Sequence, residues 1–494
     1  MVTIVVIALP DSLFARSMIG PASRPDDWQV RLGRRPRAVT LLDVLSMFSF
    51  RTWTAYDRIV SPLAIIRRPN TTSPPYVTYI LQTNGSLREV RMSRRIVVVG
   101  GGVVGCSVAW HLADAGAGEI ILLDREQLGS GTTWHSAGNI TWQPTPSHDS
   151  SVLYALDTIA RLERETGQNT GWLQTGRLSL AQDPNQIRRY ESYHRDATIR
   201  GIASRMLSPE EAGRLNPLLN PESASAFWLN PLSGRVNPAD LTAAYARGAR
   251  QRGVRIVENC RATELEIQSG RIVGVSTSTG LIAADAVVVA GGMWSRLLLE
   301  TSGIALPQWS VEHFYVIADV TPRLVASTPS FVMSEHRVYG REEAGGMLVG
   351  AFDENAKTID AAAMPDPFAF TLFEPDWDKL APYFQSAMEI FPFLADAPIR
   401  RFINGPESFT PDGSPLIGPW PDVQGLFLCT AMNSEGVTWS AMAGRLTAEL
   451  VTDVKPSFDT SHCAPARFGR QAADIDWLKR QISQHATEPA RRSD

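Results

Sequence analysis

A glycine-rich turn after a short apolar strand carries the clearest chemical signal in this sequence. The strand, predicted over 96–99, runs into Gly100-Gly101-Gly102-Val103-Val104-Gly105. Gly100 permits a tight turn, and Gly102 lets the backbone approach a pyrophosphate that a side chain would block. Gly105 lets the following helix pack closely against the sheet. The spacing predicts the phosphate-binding turn of a dinucleotide site.

The elements around this turn complete the unit. A helix predicted over 103–115 points its N-terminal amides at the phosphates, and a second apolar strand over 120–123 ends at Asp124. An acidic side chain at that place accepts hydrogen bonds from ribose hydroxyls. Glycines alone are a weak signal. Strand, turn, helix, strand and acid in this order favour a nucleotide site over a chance glycine turn.

Length and composition are typical of a soluble globular enzyme with two or more domains: 494 residues, 44% hydrophobic and 20% charged. The net charge of −4 gives no reason to expect nucleic acid as a partner. Four widely spaced cysteines predict neither a zinc site nor a disulfide framework, so we expect no metal. We also expect no membrane span and no secretory signal. The expected location is the cytoplasm, or the mitochondrial matrix if the source is eukaryotic.

Residues 1–91 differ from the rest of the chain. They are rich in arginine and proline, contain no lysine and show no sustained period, and Met92 stands just ahead of the first predicted strand. We expect a poorly ordered or mis-assigned N-terminal extension. An organelle transit segment is the alternative; the arginine excess favours it, whereas five aspartates and the length count against it.

Further elements alternate along the chain. Helices are predicted over 151–166, 183–201 and 238–252, strands over 176–181 and 254–259, and a hairpin over 262–277. A strand in 285–292 again has the all-apolar pattern of a buried parallel strand, which implies a discontinuous nucleotide domain. Between 306 and 402 the pattern becomes β-rich, as expected of an inserted substrate domain.

The β-rich part places polar and aromatic side chains on one sheet face. Alternation in the strand 311–317 puts His313 and Tyr315 on the same side, and strands over 338–341 and 347–352 follow. The chain then returns to the nucleotide domain through a turn-dense segment, 404–413. A strand over 426–430, a loop over 433–436 and a helix over 437–451 complete the domain, with the helix N-terminus near the cofactor ring.

From about Arg94 to about Leu478 the sequence resembles the flavin domain of the dimethylglycine and sarcosine dehydrogenase family, within the D-amino-acid-oxidase-like superfamily of FAD enzymes. The motifs are the glycine turn, 130–138, 404–418 and 433–436. The resemblance implies an α/β fold, in which a Rossmann-like FAD-binding domain carries an inserted mixed or antiparallel β-sheet domain. The expected boundaries are 92–182, 235–305 and 400–455 for the FAD-binding domain, 183–234 and 306–399 for the substrate domain, and 456–494 for a C-terminal connector.

In that family the histidine of the Thr-Trp-His segment carries the flavin through its 8α-methyl group, so the resemblance implies covalent FAD at His135. An imidazole there withdraws electrons and raises the flavin potential, which suits oxidation of an unreactive amine. The alternative is a histidine that only hydrogen-bonds near the ring. The full set of implied cofactor-binding residues is Gly100, Gly102, Val103, Val104, Gly105, Asp124, Arg125, Ser130, Thr132, Thr133, His135, Ala137, Gly138, Gly291, Trp294, Gly405, Asn433, Ser434, Gly436 and Val437.

The resemblance also implies catalytic roles for His313, Tyr315 and Tyr339, which surround the substrate amine in the family. Ordinary half-buried sheet residues are the alternative. Hydride leaves an N-methyl carbon only when nitrogen has a free lone pair, so the site must favour the neutral amine. Arg337 and Arg341 are the first candidates to bind a substrate carboxylate. Glu435 replaces the usual small residue of its loop and would oppose negative charge on the flavin unless it points into solvent.

The implied function is oxidative N-demethylation of a small N-methylated amino acid, such as dimethylglycine or sarcosine, by hydride transfer to flavin N5. The segment 458–477 resembles a connector that leads into a folate domain in longer members of the family, and we expect no such domain in this chain. We therefore expect formaldehyde release or transfer of the one-carbon unit through a separate, folate-dependent protein. Electrons would leave to an electron-transfer protein, a quinone or oxygen. The alternatives are a non-catalytic flavin-binding regulatory subunit and a different amine or hydroxy-acid oxidase of the superfamily.

Overall fold

The computed structural model describes residues 61–65, 77–83, 86–92, 94–320 and 324–485, and the chain divides into two compact units, Met1–Ser93 and Arg94–Asp494. In the first unit, β1 (Ser61–Ile65), β2 (Val77–Thr83) and β3 (Ser86–Met92) form an antiparallel sheet. These strands fall in the predicted N-terminal extension. The rest of that extension lies outside the described residues.

A six-stranded, mostly parallel sheet forms the centre of the second unit. Its central strands are mostly apolar because helices cover one face and a β-meander covers the other. All neighbouring strands are parallel except the last pair. The order is β11 (Arg255–Val257), β5 (Glu119–Leu123), β4 (Arg95–Val99), β15 (Ala286–Val289), β23 (Leu426–Thr430) and β22 (Leu416–Pro419).

Helices cover one face of this sheet, and the close packing of the helix Val103–Asp114 against the helix Gly436–Val451 depends on a glycine. A Cβ atom at Gly444 would lie 2.4 Å from Ser107 Oγ, so only glycine lets these helices approach. The covering helices are α1 (Val103–Asp114), α2 (Pro146–Thr166), α5 (Pro238–Gln251) and α8 (Gly436–Val451). The meander on the opposite face is β12 (Ala262–Gln268), β13 (Arg271–Thr277) and β14 (Gly280–Ala283).

A second, nine-stranded sheet is mixed, with one parallel pair inside an otherwise antiparallel arrangement. These two sheets confirm the predicted α/β class. The order is β20 (Thr358–Ile359), β16 (Trp309–Ala318), β19 (Gly346–Ala351), β18 (Val338–Glu343), β17 (Ser330–Met333), β7 (Arg177–Ala181), β9 (Ala226–Asn230) and β8 (Arg205–Leu207), with β21 (Ile399–Phe409) paired to β16.

The remaining elements connect and cover these sheets. Helix α7 (Trp377–Ile390) packs its apolar face on the back of the nine-stranded sheet. Within the described part of the chain, no helix combines the length and apolar character needed to cross a membrane. The other elements are β6 (Asn139–Ile140), α3 (Pro184–Ile199), α4 (Pro209–Leu215), β10 (Gly234–Arg235), α6 (Ser295–Glu300) and α9 (Ile475–His485).

Two sequence expectations need correction. The segment predicted to be turn-dense, from Asn404 onward, is part of the long strand β21 as far as Phe409. Its Gly405-Pro406 pair suggests a turn, but β21 pairs on one side only among the described residues, and an edge strand tolerates a proline without an N–H group. Strand β7, assigned to the nucleotide domain from sequence, pairs inside the nine-stranded sheet. The division into FAD-binding and substrate domains stays a prediction.

Candidate functional site

A cavity of about 420 Å³ lies where the parallel strands end and the glycine turn begins. Ligands of open parallel sheets bind at this edge. Two glycines are required by close backbone contacts. A Cβ at Gly105 would lie 1.8 Å from the carbonyl oxygen of Gly100, and one at Gly100 would lie 2.4 Å from that of Ala290. Gly100 also has φ +109°, which disfavours any side chain.

Asp124 holds the glycine turn in place as well as facing this cavity. Its Oδ2 accepts a hydrogen bond from the amide of Gly101 at 2.7 Å, and Oδ1 accepts one from the amide of Glu126 at 2.8 Å. Each carboxylate oxygen retains a further lone pair for a ligand hydroxyl. Burial raises the pKa of Asp124, while the two backbone hydrogen bonds oppose that shift.

Most of the predicted cofactor-binding residues line this first cavity. Gly105 does not, because it packs against the turn itself, and Gly405 packs on the His135 ring. Three others, His135, Ala137 and Gly138, line a neighbouring cavity instead. Those in the first cavity are Gly100, Gly102, Val103, Val104, Asp124, Arg125, Ser130, Thr132, Thr133, Gly291, Trp294, Asn433, Ser434, Gly436 and Val437.

The second cavity, of about 620 Å³, adjoins the first and is lined by two of the three predicted catalytic residues, His313 and Tyr339. His313 Nε2 and Tyr339 Oη lie 3.0 Å apart, and Phe352 packs against both rings. Tyr315 does not line this cavity; it is buried in an apolar cluster with Tyr339 and Ile403. Burial raises the pKa of Tyr339 well above its ordinary value and that of Tyr315 to about 12.

His135 is the last residue of a short 3-10 turn, Thr132–His135. Its Nε2 atom is buried and has no hydrogen-bond partner among the described residues. Burial lowers the pKa of His135 to about 4, so the imidazole is neutral near pH 7. A buried ring nitrogen without a partner is unusual unless a ligand meets it. The chemistry of this atom fits a flavin-bearing histidine.

A strained loop precedes α8 at the boundary of the two cavities. Ala431, Asn433 and Ser434 all have positive φ, between +52° and +69°, which costs energy in residues other than glycine. Helix α8 begins just after this loop, so its N-terminal amides and positive dipole end face the cavity. The dipole favours negative charge there.

The carboxylate of Glu435 in this loop is hydrogen-bonded to neighbouring side chains. His148 Nε2 lies 3.1 Å from its Oε1, and Trp439 Nε1 donates to its Oε2 at 3.1 Å. These contacts direct the carboxylate to one wall of the second cavity. The sequence alone gave no indication of either contact.

The two arginines suggested for a substrate carboxylate already have partners. Arg337 forms an ion pair with Glu354 at 2.8 Å. Arg341 pairs with Glu343, donates to the carbonyl oxygen of Ala137 at 2.8 Å and does not line the second cavity. Two further arginines line this cavity and form no ion pair among the described residues, Arg177 and Arg189, and sequence reasoning missed both.

Polar alternation in β7 was the available signal for Arg177. Arg177 and Ser179 alternate with Leu178 and Leu180 in an otherwise apolar strand, which indicates one polar face. Glu407 was missed as well; it lines both cavities, and its Oε2 is buried without a hydrogen-bond partner among the described residues.

The comparisons with known proteins agree with this geometry. The family model described as FAD dependent oxidoreductase (DAO) matches residues 95–450. The chain therefore belongs to the DAO family of FAD-dependent oxidoreductases. The glycine cradle, Asp124 and the unpartnered His135 nitrogen are residues that fit FAD.

Similar proteins confirm the predicted resemblance. The chain is 34% identical over 387 residues to 4-methylaminobutanoate oxidase (formaldehyde-forming) of Paenarthrobacter nicotinovorans, covering 78% of this chain and 47% of the relative. It is 32% identical over 445 residues to mouse mitochondrial sarcosine dehydrogenase, covering 86% and 48%. It is 31% identical over 431 residues to the mouse mitochondrial pyruvate dehydrogenase phosphatase regulatory subunit, covering 85% and 49%. Dimethylglycine dehydrogenases are also similar.

The chain spans about half the length of these curated relatives. Among solved structures, L-proline dehydrogenase from P. horikoshii matches with a TM-score of 0.67 and 25% identity, covering 76% of this chain and 98% of that one. The match extends over nearly the whole of that smaller enzyme, which confirms the fold of the flavin-binding and sheet regions together.

Proposed function

We propose that this protein oxidises a small N-methylated amino acid with FAD and removes the N-methyl group. The observation that supports this most directly is the His313–Tyr339 pair, hydrogen-bonded at 3.0 Å in a cavity that adjoins the dinucleotide cavity. Two of the relatives are named for this kind of substrate, 4-methylaminobutanoate and sarcosine. Bound FAD would supply the two-electron acceptor.

The role of His313 and Tyr339 in this proposal is to control the protonation of the substrate amine. An alkylamine resembles lysine in basicity and is protonated near pH 7, when it has no lone pair to assist loss of hydride from the N-methyl carbon. His313 Nε2 and Tyr339 Oη can together bind the amine nitrogen and hold the proton it gives up. Phe352 packs against both rings and limits the space around their contact.

The products follow from the chemistry of the amine. Loss of hydride from the N-methyl carbon leaves an iminium ion, and water adds to it to give the demethylated amino acid and formaldehyde. A separate folate-dependent protein could take the one-carbon unit instead. The electrons finally pass to an external acceptor.

We further propose that FAD is covalently attached to His135. The bond from the ring nitrogen would replace a C–H bond of the flavin 8α-methyl group; the proton would be lost, and the electron pair would reduce the flavin and then pass to the external acceptor. The Nε2 atom of His135 is buried, unpartnered and neutral near pH 7, so the lone pair is available for bond formation. Precipitating the native protein with acid tests this proposal. The yellow colour should stay with the pellet, and a peptide containing Thr132–His135 should carry the flavin mass. Colour lost entirely to the supernatant would contradict the bond.

Anaerobic titration tests the reaction itself. Addition of sarcosine, dimethylglycine or 4-methylaminobutanoate should bleach the visible flavin absorbance, and formaldehyde should appear in proportion to the amine consumed once an acceptor is supplied. A spectrum unchanged by a broad panel of secondary and tertiary amines would exclude the proposal. That outcome, with FAD still bound, would favour the regulatory role suggested by the similarity to the phosphatase regulatory subunit.

A further inference from the structure

A buried carboxylate lies where the two cavities meet, and one of its oxygens has no partner. Glu407 of β21 lines both cavities and is only 7% exposed. Its Oε2 atom has no hydrogen-bond partner among the described residues. Native proteins rarely leave such an atom unpaired, because burial removes its water without replacing it. The unpaired oxygen therefore indicates a place where a ligand binds.

The charge of Glu407 is not compensated by a basic side chain of the described residues. Arg341, which acts electrostatically on Tyr339 as Glu407 does, is paired with Glu343. Arg177 also lines the second cavity, but the carboxylate that acts on it is that of Glu435. A buried carboxylate without an opposite charge costs free energy. A cation at this place would remove that cost.

The register between β16 and β21 places Glu407 beside the His313–Tyr339 pair. Gly405 lies opposite His313, and Glu407 is two residues further along β21. Residues two apart on a strand face the same side, so His313 and Glu407 are diagonal neighbours, a separation that long side chains can reach across. Burial raises the pKa of Tyr339, and the negative charge of Glu407 raises it further.

Glu407 is also close to the residue proposed to carry the flavin. The His135 ring packs on Gly405, which shares a face of β21 with Glu407. Burial lowers the pKa of His135, and Glu407 is the largest of the influences that oppose this shift. The carboxylate therefore lies near both His135 and the His313–Tyr339 pair, at the junction through which a bound amine would face the cofactor cavity.

Aromatic rings at this end of the second cavity suit a methylated cation. The ring centroids of Tyr339 and Phe352 are 5.1 Å apart, and those of His313 and Phe352 are 5.6 Å apart. Phe409, two residues beyond Glu407, lines the same cavity. The faces of aromatic rings attract methylated ammonium ions. Rings and carboxylate together favour an N-methylated cation over a neutral ligand.

We propose that Glu407 is a further catalytic residue, which pairs with the substrate nitrogen whenever that nitrogen is positively charged. An alkylamine enters protonated near pH 7. After its proton passes to the His313–Tyr339 pair, loss of hydride from the N-methyl carbon to bound FAD turns the nitrogen lone pair into the second bond of a C=N group. Positive charge thus returns to the nitrogen, and Glu407 stabilises it as it develops. The catalytic part rests on the proposed function, whereas the cation site depends on Glu407 alone.

Binding of an inert cation tests the site without turnover. Tetramethylammonium has no lone pair to assist loss of hydride, and tert-butanol has a similar shape without the charge. In calorimetry with the FAD-loaded protein, the wild type should bind tetramethylammonium more tightly than tert-butanol. Glu407→Gln should weaken tetramethylammonium binding by about 10-fold to 100-fold, as expected for loss of a partly desolvated opposite charge, and should leave tert-butanol binding unchanged. Unchanged tetramethylammonium binding would overturn the cation site.

Glu335→Gln is the matched control for this titration. Glu335 lines the same cavity but is exposed, so water and salt screen its charge, and the substitution should leave tetramethylammonium binding unchanged. Equal weakening by the two substitutions would show a general attraction of cations into the cavity and would overturn the assignment of Glu407. Thermal unfolding gives a second check, because Glu407→Gln removes an unpaired buried charge and should leave the midpoint equal or higher. A lower midpoint would show that the carboxylate has a structural partner instead.

Anaerobic reduction of the flavin then tests the catalytic part. Glu407→Gln should lower the reduction rate at saturating amine by about 10-fold, because the charge that develops on nitrogen is no longer stabilised, and Glu407→Asp should recover part of the rate. An unchanged rate with less acid-precipitable flavin would place Glu407 in cofactor attachment and overturn its catalytic role. If no amine reduces the flavin but tetramethylammonium binding still depends on Glu407, the proposed function fails and the cation site stands. If amines are oxidised and Glu407→Gln binds tetramethylammonium as the wild type does, the proposed function stands and the cation site fails.

Discussion

Tyr339 reaches His313 across an intervening strand because residue 350 between them is glycine. The two residues lie on β18 and β16, with β19 in the middle, yet Tyr339 Oη and His313 Nε2 are 3.0 Å apart. A Cβ atom at Gly350 would lie 2.3 Å from Tyr339 Cζ, so the phenol ring lies directly over the glycine backbone. Gly350 thus positions the hydroxyl without itself lining the second cavity.

Replacing Tyr339 by phenylalanine removes the hydroxyl from this pair while keeping the ring. We expect kcat/KM for amine oxidation to fall on the order of 10-fold to 100-fold, because His313 loses its hydrogen-bond partner and the amine loses a hydrogen-bonding contact. Steady-state kinetics checks the loss. Tyr315→Phe should have the smaller effect, since Tyr315 does not line the cavity. Equal effects of the two substitutions would contradict the assignment.

Gly350→Ala tests the positioning by a single methyl group. The backbone at Gly350 is not left-handed, so alanine is tolerated by the main chain, but its Cβ would displace the Tyr339 ring. We expect an activity loss comparable to that of Tyr339→Phe, with the flavin still bound. The double variant should lose little more than either single one, because both changes break the same contact. Simple additivity of the two losses would show that Gly350 acts by another route.

Local patterns were sufficient to predict the nucleotide half of the fold. The glycine spacing, the apolar strand 96–99 and the acid after the second strand are short-range signals, and the structure has the strands and helix there. The period-two alternation also placed His313 on the correct face of its strand. These features depend on neighbouring residues alone.

Long-range pairing was not predictable in the same way. The register between β7 and β17 joins residues about 150 positions apart, so the position of Arg177 opposite Ser330 could not be read from either segment. The same limit applies to Tyr315, whose ring packs with Ile403 of β21. Only residues 404–409 of that strand fall in the segment that was predicted to be turn-dense. Burial in the assembled sheet, rather than alternation, decides which residues line the cavity.

Gly405→Ala should disturb the flavin attachment proposed for His135. An added Cβ at residue 405 would lie 2.7 Å from both Cε1 and Nε2 of His135, and β21 backbone cannot move without breaking its pairing with β16. We expect purified protein with reduced or absent covalent flavin, measured as the fraction of acid-precipitable flavin absorbance. Gly213→Ala is the control, since a Cβ there meets nothing within 4 Å. Full covalent loading of Gly405→Ala would show that the ring position does not govern attachment.

His111 should make the stability of the protein depend on pH. It lies buried between α1 and α2, where Nδ1 donates to the carbonyl oxygen of Ser107 at 2.8 Å and Nε2 accepts from Tyr154 Oη at 3.0 Å. Burial lowers the pKa of His111 from 6.5 to about 4. The unfolded chain therefore binds more protons between these pH values, so this histidine's contribution to stability is complete above pH 6.5 and is lost as the pH falls towards 4.

The size of the effect follows from that shift. At pH 5 the neutral buried ring reduces the free energy of unfolding by about 2 kcal/mol relative to pH 7. His111→Gln, which cannot titrate, should lower stability at pH 7 but lose about 2 kcal/mol less than wild type on going to pH 5. Urea unfolding of both proteins at the two pH values measures this difference. His194→Gln, at a partly exposed histidine beside Ser204, is the control and should leave the wild-type pH dependence in place. An identical loss in wild type and His111→Gln would mean that His111 becomes protonated in the folded protein without cost, and that the packing between α1 and α2 admits a charge.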